Sequence, residues 1–309
     1  MTYSIVARDA ATGELGFGSQ SHFFGVGRLV GWGEAGVGVA CTQAFVNVDY
    51  GPGAIAAMRS GDSPADIVKS LTSADEHAPY RQLGVCDSAG RVANHTGDSC
   101  APFAAGLTGD QVAVQGNMLA NAQVVPDMLA AYEAAGGQPL AERMLAAMAA
   151  AEAAGGDVRG SQSAVLRTYT PQRSDTPWNQ VQIDIRVDDS EDPIGELQRL
   201  LPRQRAFDLI GGVLFAPNLT LGPYEGVDPA LLREKLDGLA EASVLLGGQN
   251  READFWRALL LARSGAETEA KALFADLFDA RPALRGFLEG IAPLGFLDNA
   301  ADYTEHTGA

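Results

Sequence analysis

The chain has 309 residues, of which 46% are hydrophobic and 20% are charged. This balance excludes a disordered or fibrous protein and predicts a globular chain, long enough for one large domain or for a domain with an appendage. Its 39 acidic residues outnumber its 22 basic residues, which gives a formal net charge of −17. A negative field of this size disfavours nucleic acid and anionic membranes as partners.

We recognise no targeting or membrane segment in the sequence. Residues 1–9 lack the basic region and the apolar core of a signal peptide. The most apolar stretch, residues 25–46, is rich in glycine and is interrupted by Arg28 and Glu34, which makes it a poor membrane span. The three cysteines do not have the spacing of a zinc or redox motif. We therefore predict reduced thiols in a cytoplasmic protein.

The first part of the chain alternates short strands with one pair of helices. Alternating apolar and β-branched residues predict strands at 2–8, 13–19, 28–32 and 37–43. Ser63, Pro64 and Asp66 have the spacing of a helix N-terminus. They support a helix pair at about 52–60 and 64–73. Further strands are predicted at 82–87, 91–95 and 112–115.

The middle of the chain repeats this arrangement. Two alanine-rich helices are predicted at about 122–134 and 139–153, followed by strands at 162–169 and 180–187. Residues 192–210 have a helical pattern in which Pro202 is expected to cause a kink or a break. Helices that come in blocks, with strands in hairpins, predict an α+β fold of layered sheets and helices rather than a parallel doubly wound sheet.

The last third of the chain is predicted to be helical. Residues 211–227 contain four glycines and two prolines, which indicates a linker between a domain of residues 1–210 and a helical region of residues 228–309. Within that region, Ala270 and Phe274 have the spacing of the second helix in a tetratricopeptide hairpin. Two interpretations stay open: a helical cap on the first domain, or a groove that recruits a protein partner.

The N-terminus offers a nucleophile where familiar catalytic motifs are absent. The sequence contains no Gly-x-x-x-x-Gly-Lys, no paired-histidine metal helix and no Gly-x-Ser-x-Gly. With only four histidines, a base other than histidine is expected. Removal of Met1 would leave Thr2 with a hydroxyl nucleophile and an α-amine on one residue. An α-amine has a reference pKa of about 8, so it can accept the hydroxyl proton at physiological pH.

Seven segments, in the same order along the chain, resemble the DUF1028 family. They are Thr-Tyr-Ser-Ile-Val-Ala-Arg-Asp at 2–9, Gln-Ser-His-Phe-Phe at 20–24, Ala-Gly-Val-Gly-Val-Ala-Cys-Thr-Gln at 35–43, His-Thr-Gly at 95–97, Gln-Gly-Asn-Met-Leu at 115–119, Gly-Gly-Asp-Val-Arg-Gly-Ser-Gln-Ser-Ala at 155–164 and Ile-Asp-Ile-Arg-Val-Asp-Asp at 183–189. The resemblance covers about residues 2–210.

This resemblance implies membership of the N-terminal-nucleophile (Ntn) hydrolase superfamily and its four-layer αββα sandwich. One feature departs from the proteasome-like members of that superfamily, which have a lysine beside the nucleophile. The lysines of this chain, at 69, 235 and 271, lie outside the predicted early strands. The α-amine of Thr2 would therefore act without a lysine, near Arg28 or Arg159.

The candidate catalytic residues besides Thr2 are Ser4, His22 and Asn117. Ser4 lies on the same strand face as Thr2, where it either hydrogen-bonds the threonine hydroxyl or faces solvent. His22 follows the second strand of a tight hairpin, and it either orients the nucleophile or substrate or packs against the two phenylalanines that follow it. Asn117 ends a strand after Gly116, and its amide is the predicted oxyanion donor.

The candidate substrate-binding residues lie at predicted strand ends and in one loop. Arg159 belongs to the loop of residues 155–163, and an arginine suits a bidentate contact with a substrate carboxylate. The remaining candidates are Ser21, Gln43, His95, Gln162 and Ser163.

Taken together, these residues predict a cytoplasmic amidohydrolase for a small polar amide. The Thr2 hydroxyl attacks the carbonyl carbon, the α-amine carries the proton, and water then releases the acyl group. This chemistry requires no metal or organic cofactor and is compatible with a homo-oligomer. The alternative is a non-catalytic protein of the same fold whose residues 228–309 recruit a partner. A third reading, with Cys41 as the nucleophile, has the least support because an apolar strand raises a thiol pKa.

Overall fold

The computed structural model describes residues 2–305, without the side chains of Pro177 and Trp178, and divides into two compact units. The first unit extends to Leu200 and the second begins at Leu201. In chain order, the elements up to this division are β1 (Thr2–Arg8), β2 (Leu15–Ser21), β3 (Gly31–Glu34), β4 (Gly38–Ala44), α1 (Tyr50–Ser60), α2 (Pro64–Ser73), β5 (Arg81–Asp87), β6 (Val92–Thr96), β7 (Ala105–Gly109), β8 (Val112–Asn117), α3 (Val124–Ala134), α4 (Leu140–Ala153), β9 (Ser163–Tyr169), β10 (Val181–Val187) and α5 (Pro193–Leu214), which crosses it.

The strands form two antiparallel sheets. The larger sheet has the order β10-β9-β2-β1-β8-β7, and the smaller sheet has the order β3-β4-β5-β6. The predicted hairpin that opens at Thr2 is confirmed, since β1 pairs with β2 along its whole length. Strand β7 is absent from the sequence prediction, because its five residues include two glycines and form no apolar alternation.

The helices of the first unit cover the outer faces of the two sheets. Helices α1 and α2 pack on the smaller sheet through a cluster that includes Ile55, Ile67 and Leu83. Helices α3 and α4 pack on the larger sheet, where Gly16 and Gly18 of β2 leave room for two methionines of α4. The inner faces of the two sheets meet in a separate apolar cluster, which lies between the sheets. The predicted α+β class with antiparallel sheets is therefore confirmed.

The second unit is helical, as predicted. Its elements are α6 (Pro217–Thr220), α7 (Pro229–Leu246), α8 (Glu252–Arg263), α9 (Glu267–Ala280), α10 (Ala283–Ile291) and α11 (Ala301–Thr304). Its core includes Phe255, Leu259, Phe274 and Leu277. Within residues 2–305, no helix is both long enough and apolar enough to span a membrane.

The junction between the units differs from the sequence prediction. Helix α5 contains Pro202 without ending there, and it continues past Gly211 to Leu214. The buried residues Ala206, Ile210 and Val213 follow the helical period on its second half, and their burial outweighs the one hydrogen bond that a proline removes. The predicted linker of residues 211–227 is consequently helical at its start and again in α6.

Candidate functional site

The interface between the two sheets changes from apolar to polar toward the start of β1. Val6 belongs to the apolar cluster between the sheets, and Ser4 and Thr2 continue the same face of the strand. The register places Ser21 of β2 and Asn117 of β8 on either side of Thr2. The result is a layer of buried polar side chains, here called the polar layer. Its members are Thr2, Ser4, Ser19, Ser21, Gln43, Gln82, Gln115 and Asn117.

Gln82 is the centre of the hydrogen bonds in the polar layer. Its Oε1 accepts hydrogen bonds from Gln43 Nε2 at 2.8 Å and from Asn117 Nδ2 at 2.9 Å. Its Nε2 donates to the carbonyl oxygen of Gly116 at 2.8 Å. Because Gln82 is on β5 whereas Asn117 and Gly116 are on β8, these bonds join the two sheets. The side chain has no solvent exposure.

The polar layer holds Thr2 by its backbone and by its hydroxyl. The carbonyl oxygen of Thr2 accepts hydrogen bonds from Gln43 Nε2 at 2.9 Å and from Asn117 Nδ2 at 3.3 Å. Its Oγ1 donates to Ser21 Oγ at 3.0 Å. Ser4 donates its hydroxyl proton to Gln43 Oε1 at 2.7 Å. Ser4 therefore contributes to the position of Thr2 through Gln43.

A pocket of about 120 Å³ opens beside Thr2. Its polar lining consists of four predicted site residues: Thr2, Ser21, Gln43 and Arg159. Its apolar lining consists of Phe23, Val26, Leu29, Val30, Ala44 and Val46. The tertiary structure thus brings together the predicted nucleophile and three of the predicted substrate-binding residues.

Asp157 is a site residue that sequence reasoning missed. Its side chain is completely buried and accepts hydrogen bonds from the backbone N–H groups of Arg159 at 2.8 Å and His22 at 3.0 Å. Two guanidinium nitrogens of Arg159 also lie 3.2 and 3.4 Å from its oxygens. The carboxylate therefore fixes both the loop and the arginine head group. The sequence feature that could have identified Asp157 is its position directly after two glycines and two residues before Arg159.

Asn117 does not have the geometry of the predicted oxyanion donor. The two hydrogens of its amide nitrogen are directed to the Thr2 carbonyl oxygen and to Gln82 Oε1. This corrects the predicted geometry: Asn117 positions the backbone of Thr2, because its strand is the direct neighbour of β1. Ala44 and Met118 follow Gln43 and Asn117 and both have left-handed backbone conformations, with φ of 71° and 51°. Such conformations are uncommon for non-glycine residues and cluster at functional sites.

Four other predicted site residues, His22, His95, Gln162 and Ser163, do not belong to the lining of the pocket beside Thr2. His22 is exposed, and its backbone N–H donates a hydrogen bond to the Asp157 carboxylate. His95 Nε2 lies 2.9 Å from the carbonyl oxygen of Ala78 and lines a separate cavity. Its neighbour Leu83 belongs to the cluster under α1 and α2, so His95 is on the opposite face of the smaller sheet. This corrects its predicted placement.

Gln162 and Ser163 support the loops around the pocket. Gln162 Nε2 donates to Asp189 at 3.0 Å. Ser163 is fully buried, donates its hydroxyl to the carbonyl of Phe23 and accepts a hydrogen bond from the N–H of Val26 at 3.0 Å. Because Phe23 and Val26 line the pocket, Ser163 shapes the pocket through the loop that it anchors.

Cys41 is expected to be chemically inert in the folded protein. Burial raises the pKa of its thiol to about 12, and a hydrogen bond with Ser4 offsets only part of that shift. At pH 8 about one thiol in 10⁴ is then a thiolate. We expect iodoacetamide to leave Cys41 unmodified in the native protein and to modify it after denaturation in urea, as measured by peptide mass spectrometry. Rapid native alkylation of Cys41 would reopen its assignment as a nucleophile.

The fold and the site define a class: an α+β domain in which two facing antiparallel sheets hold a buried polar layer, with a pocket beside Thr2. The family model described as "Family of unknown function (DUF1028)" matches residues 2–197. The chain therefore belongs to the DUF1028 family. The helical residues from Leu201 onward lie beyond this match.

One solved structure supports the same assignment. The chain is similar to the crystal structure of protein SPO2555 from Silicibacter pomeroyi, which is assigned to DUF1028. The two sequences are 31% identical, and the structures superpose with a TM-score of 0.58 over 64% of this chain and 87% of the other. No curated protein matches the sequence.

Proposed function

We propose that the chain is an Ntn-type amidohydrolase with Thr2 as its nucleophile. The observation that carries this proposal is the position of Thr2, which is the first residue of β1 and lines the pocket although the residue is only 7% exposed. Two amide side chains hold its carbonyl oxygen, and Ser21 accepts a hydrogen bond from its hydroxyl. A nucleophile held in this way has little orientational freedom to lose on the path to the transition state.

The arrangement of layers in the first unit supports the same proposal. A helix pair, two facing sheets and a second helix pair agree with the αββα sandwich that the DUF1028 resemblance implies. Thr2 is the first residue of β1, on the strand face that is directed to the other sheet.

The proposed reaction uses one residue as nucleophile and base. After removal of Met1, the α-amine of Thr2 accepts the hydroxyl proton while Oγ1 bonds to the amide carbonyl carbon. The C–N bond then breaks, and the leaving nitrogen receives that proton. Water hydrolyses the resulting ester on Oγ1, with the α-amine again acting as base. The products are a carboxylic acid and an amine, and the enzyme returns to its initial state.

The charge that develops on the carbonyl oxygen has to be stabilised by the pocket wall. The described lining contains Arg159 and no lysine, which distinguishes it from proteasome-like sites. Because both amide hydrogens of Asn117 are used within the polar layer, we assign this stabilisation to backbone N–H groups of the pocket wall around Ala44, which leaves Arg159 for a charged group of the substrate.

An acyl-trapping experiment tests the mechanism directly. We expect the protein from its native host to begin at Thr2 with a free amine, and the p-nitrophenyl ester of a short aliphatic acid to acylate its N-terminal tryptic peptide, which ends at Arg8. Hydroxylamine added to the native protein before digestion should remove this acyl group, because it is an ester on Oγ1 that has not yet migrated to the α-amine. Quantitative retention of Met1 would remove the base and contradict the mechanism.

The non-catalytic alternative depends on the helical unit. Ala270 and Phe274 are fully buried in the α8–α9 hairpin, as the proposed tetratricopeptide-like packing requires. Phe215 and Val244 are strongly exposed in the same unit, with 86% and 81% of their surface accessible. Retention of Met1 in the acyl-trapping experiment would favour this partner-binding function.

A further inference from the structure

We infer that the ligand of the Thr2 pocket is an amide that carries a carboxylate and a small apolar acyl group. The inference rests on the proposed hydrolase function and makes its substrate class more specific. It also changes the sequence expectation of a small polar amide, because most of the pocket wall is apolar.

The apolar wall sets the size of the acyl group. Val26 and Val30 are almost fully buried, and Leu29 and Val46 line the pocket with them. The pocket volume of about 120 Å³ is somewhat smaller than the apolar cavity of about 150 Å³ that holds a benzene molecule in another protein. Because this volume also has to hold the polar part of the ligand, the pocket favours an acyl chain of about four to six carbons over one of eight carbons.

The carboxylate is assigned to Arg159. This arginine lines the pocket that contains Thr2, in a chain whose net charge is −17. Nε and Nη2 of Arg159 face Asp157, and the two backbone N–H dipoles that also point at the Asp157 carboxylate add positive potential to this pair. The buried Asp157 holds the guanidinium in a fixed orientation. A pre-oriented guanidinium is suited to planar recognition of a carboxylate.

Thr2, the proposed nucleophile, lies in the same pocket as the apolar subsite and the Arg159 subsite. Thr2, Ser21 and Gln43 form the polar part of this pocket. An amide with an apolar acyl chain toward Val30 and a carboxylate toward Arg159 presents its carbonyl carbon to this polar part. N-acyl amino acids with short aliphatic chains have this combination of groups.

Binding to a protein that cannot turn over the ligand tests the inference. We expect the full-length Thr2→Ala variant to bind N-isovalerylglycine in a calorimetric titration. Isovaleramide, which lacks the carboxylate, and N-octanoylglycine, which exceeds the favoured chain length, should each bind at least about tenfold more weakly. Equal binding of either compound would overturn the inference.

Arg159 is tested by substitution in the same Thr2→Ala background. Arg159→Gln should weaken binding of N-isovalerylglycine at least about tenfold, and Arg159→Lys should weaken it less, because lysine keeps the charge without the planar fork. Arg173→Gln is the matched control, since Arg173 is an exposed arginine of the first unit and should leave binding unchanged. Unchanged binding in a folded Arg159→Gln protein would overturn the assignment.

Turnover by the wild-type protein separates this inference from the proposed function. Binding with the expected preferences, but without release of isovalerate, would support the ligand class and reject hydrolysis. Equally fast hydrolysis of amides with and without a carboxylate would support hydrolysis and reject the ligand class.

Discussion

Replacement of Thr2 by alanine is expected to lower kcat/KM by at least about 10³-fold for any amide that the protein hydrolyses. The substitution removes Oγ1, which forms the ester bond in the proposed reaction, and no other group of the pocket takes its place. The backbone carbonyl that Gln43 and Asn117 hold is retained. The measurement is steady-state hydrolysis, with isovalerate release followed by chromatography.

Thr2→Ser is the matched control for this prediction. It keeps the hydroxyl and the α-amine, and we expect its kcat/KM to remain within about tenfold of the wild-type value. The thermal midpoints of both variants should be close to that of the wild type, because Gln43 and Asn117 hold the backbone carbonyl of residue 2, which Thr2→Ala keeps while it removes the hydrogen bond to Ser21. Substantial hydrolysis by a purified Thr2→Ala protein would show that another group is the nucleophile.

Replacement of Gln82 by leucine is expected to lower the free energy of unfolding by about 3–5 kcal/mol. Leucine has nearly the same volume but cannot accept the hydrogen bonds of Gln43 and Asn117, or donate to the carbonyl of Gly116. Buried polar groups that lose a partner cost about 1–3 kcal/mol each. Equilibrium unfolding in urea measures the difference.

Gln123→Leu is the control for the loss of a glutamine amide. Gln123 is exposed, and its amide contacts Asp127 at the start of α3, so we expect a change within about 0.5 kcal/mol. If Gln82→Leu and Gln123→Leu unfold at the same urea concentration, the polar layer does not stabilise the sheet interface in the way described.

Much of the local structure is predictable from sequence because the signals are local. The β-branched run at the N-terminus predicts β1, and the cap formed by Ser63 with Pro64 predicts α2 with the correct ends. Where a local signal competes with packing, packing prevails. Pro202 would end an isolated helix, but α5 continues because the residues that follow it are buried in the helical core.

The candidate site is only partly predictable for a similar reason. Thr2 and Gln43 stand at ends of predicted strands and Ser21 follows one, and all three line one pocket. Gln82 and Asp157 carry no motif, and their roles arise from hydrogen bonds to residues that are distant in sequence. Their partners could be identified only when strand order and register were known.

By itself, the sequence determined the α+β class, the family and the nucleophile candidate, because periodicity, capping and the order of short segments are properties of the linear chain. Only the tertiary structure decided which side chains share the pocket. Alternation along β6 sends His95 to the helix-covered face, and the pairing of β1 with β8 uses the Asn117 amide to hold Thr2. A one-residue change in register reverses the face of every side chain in a strand, so the composition of the site depends on pairings that the linear sequence does not specify.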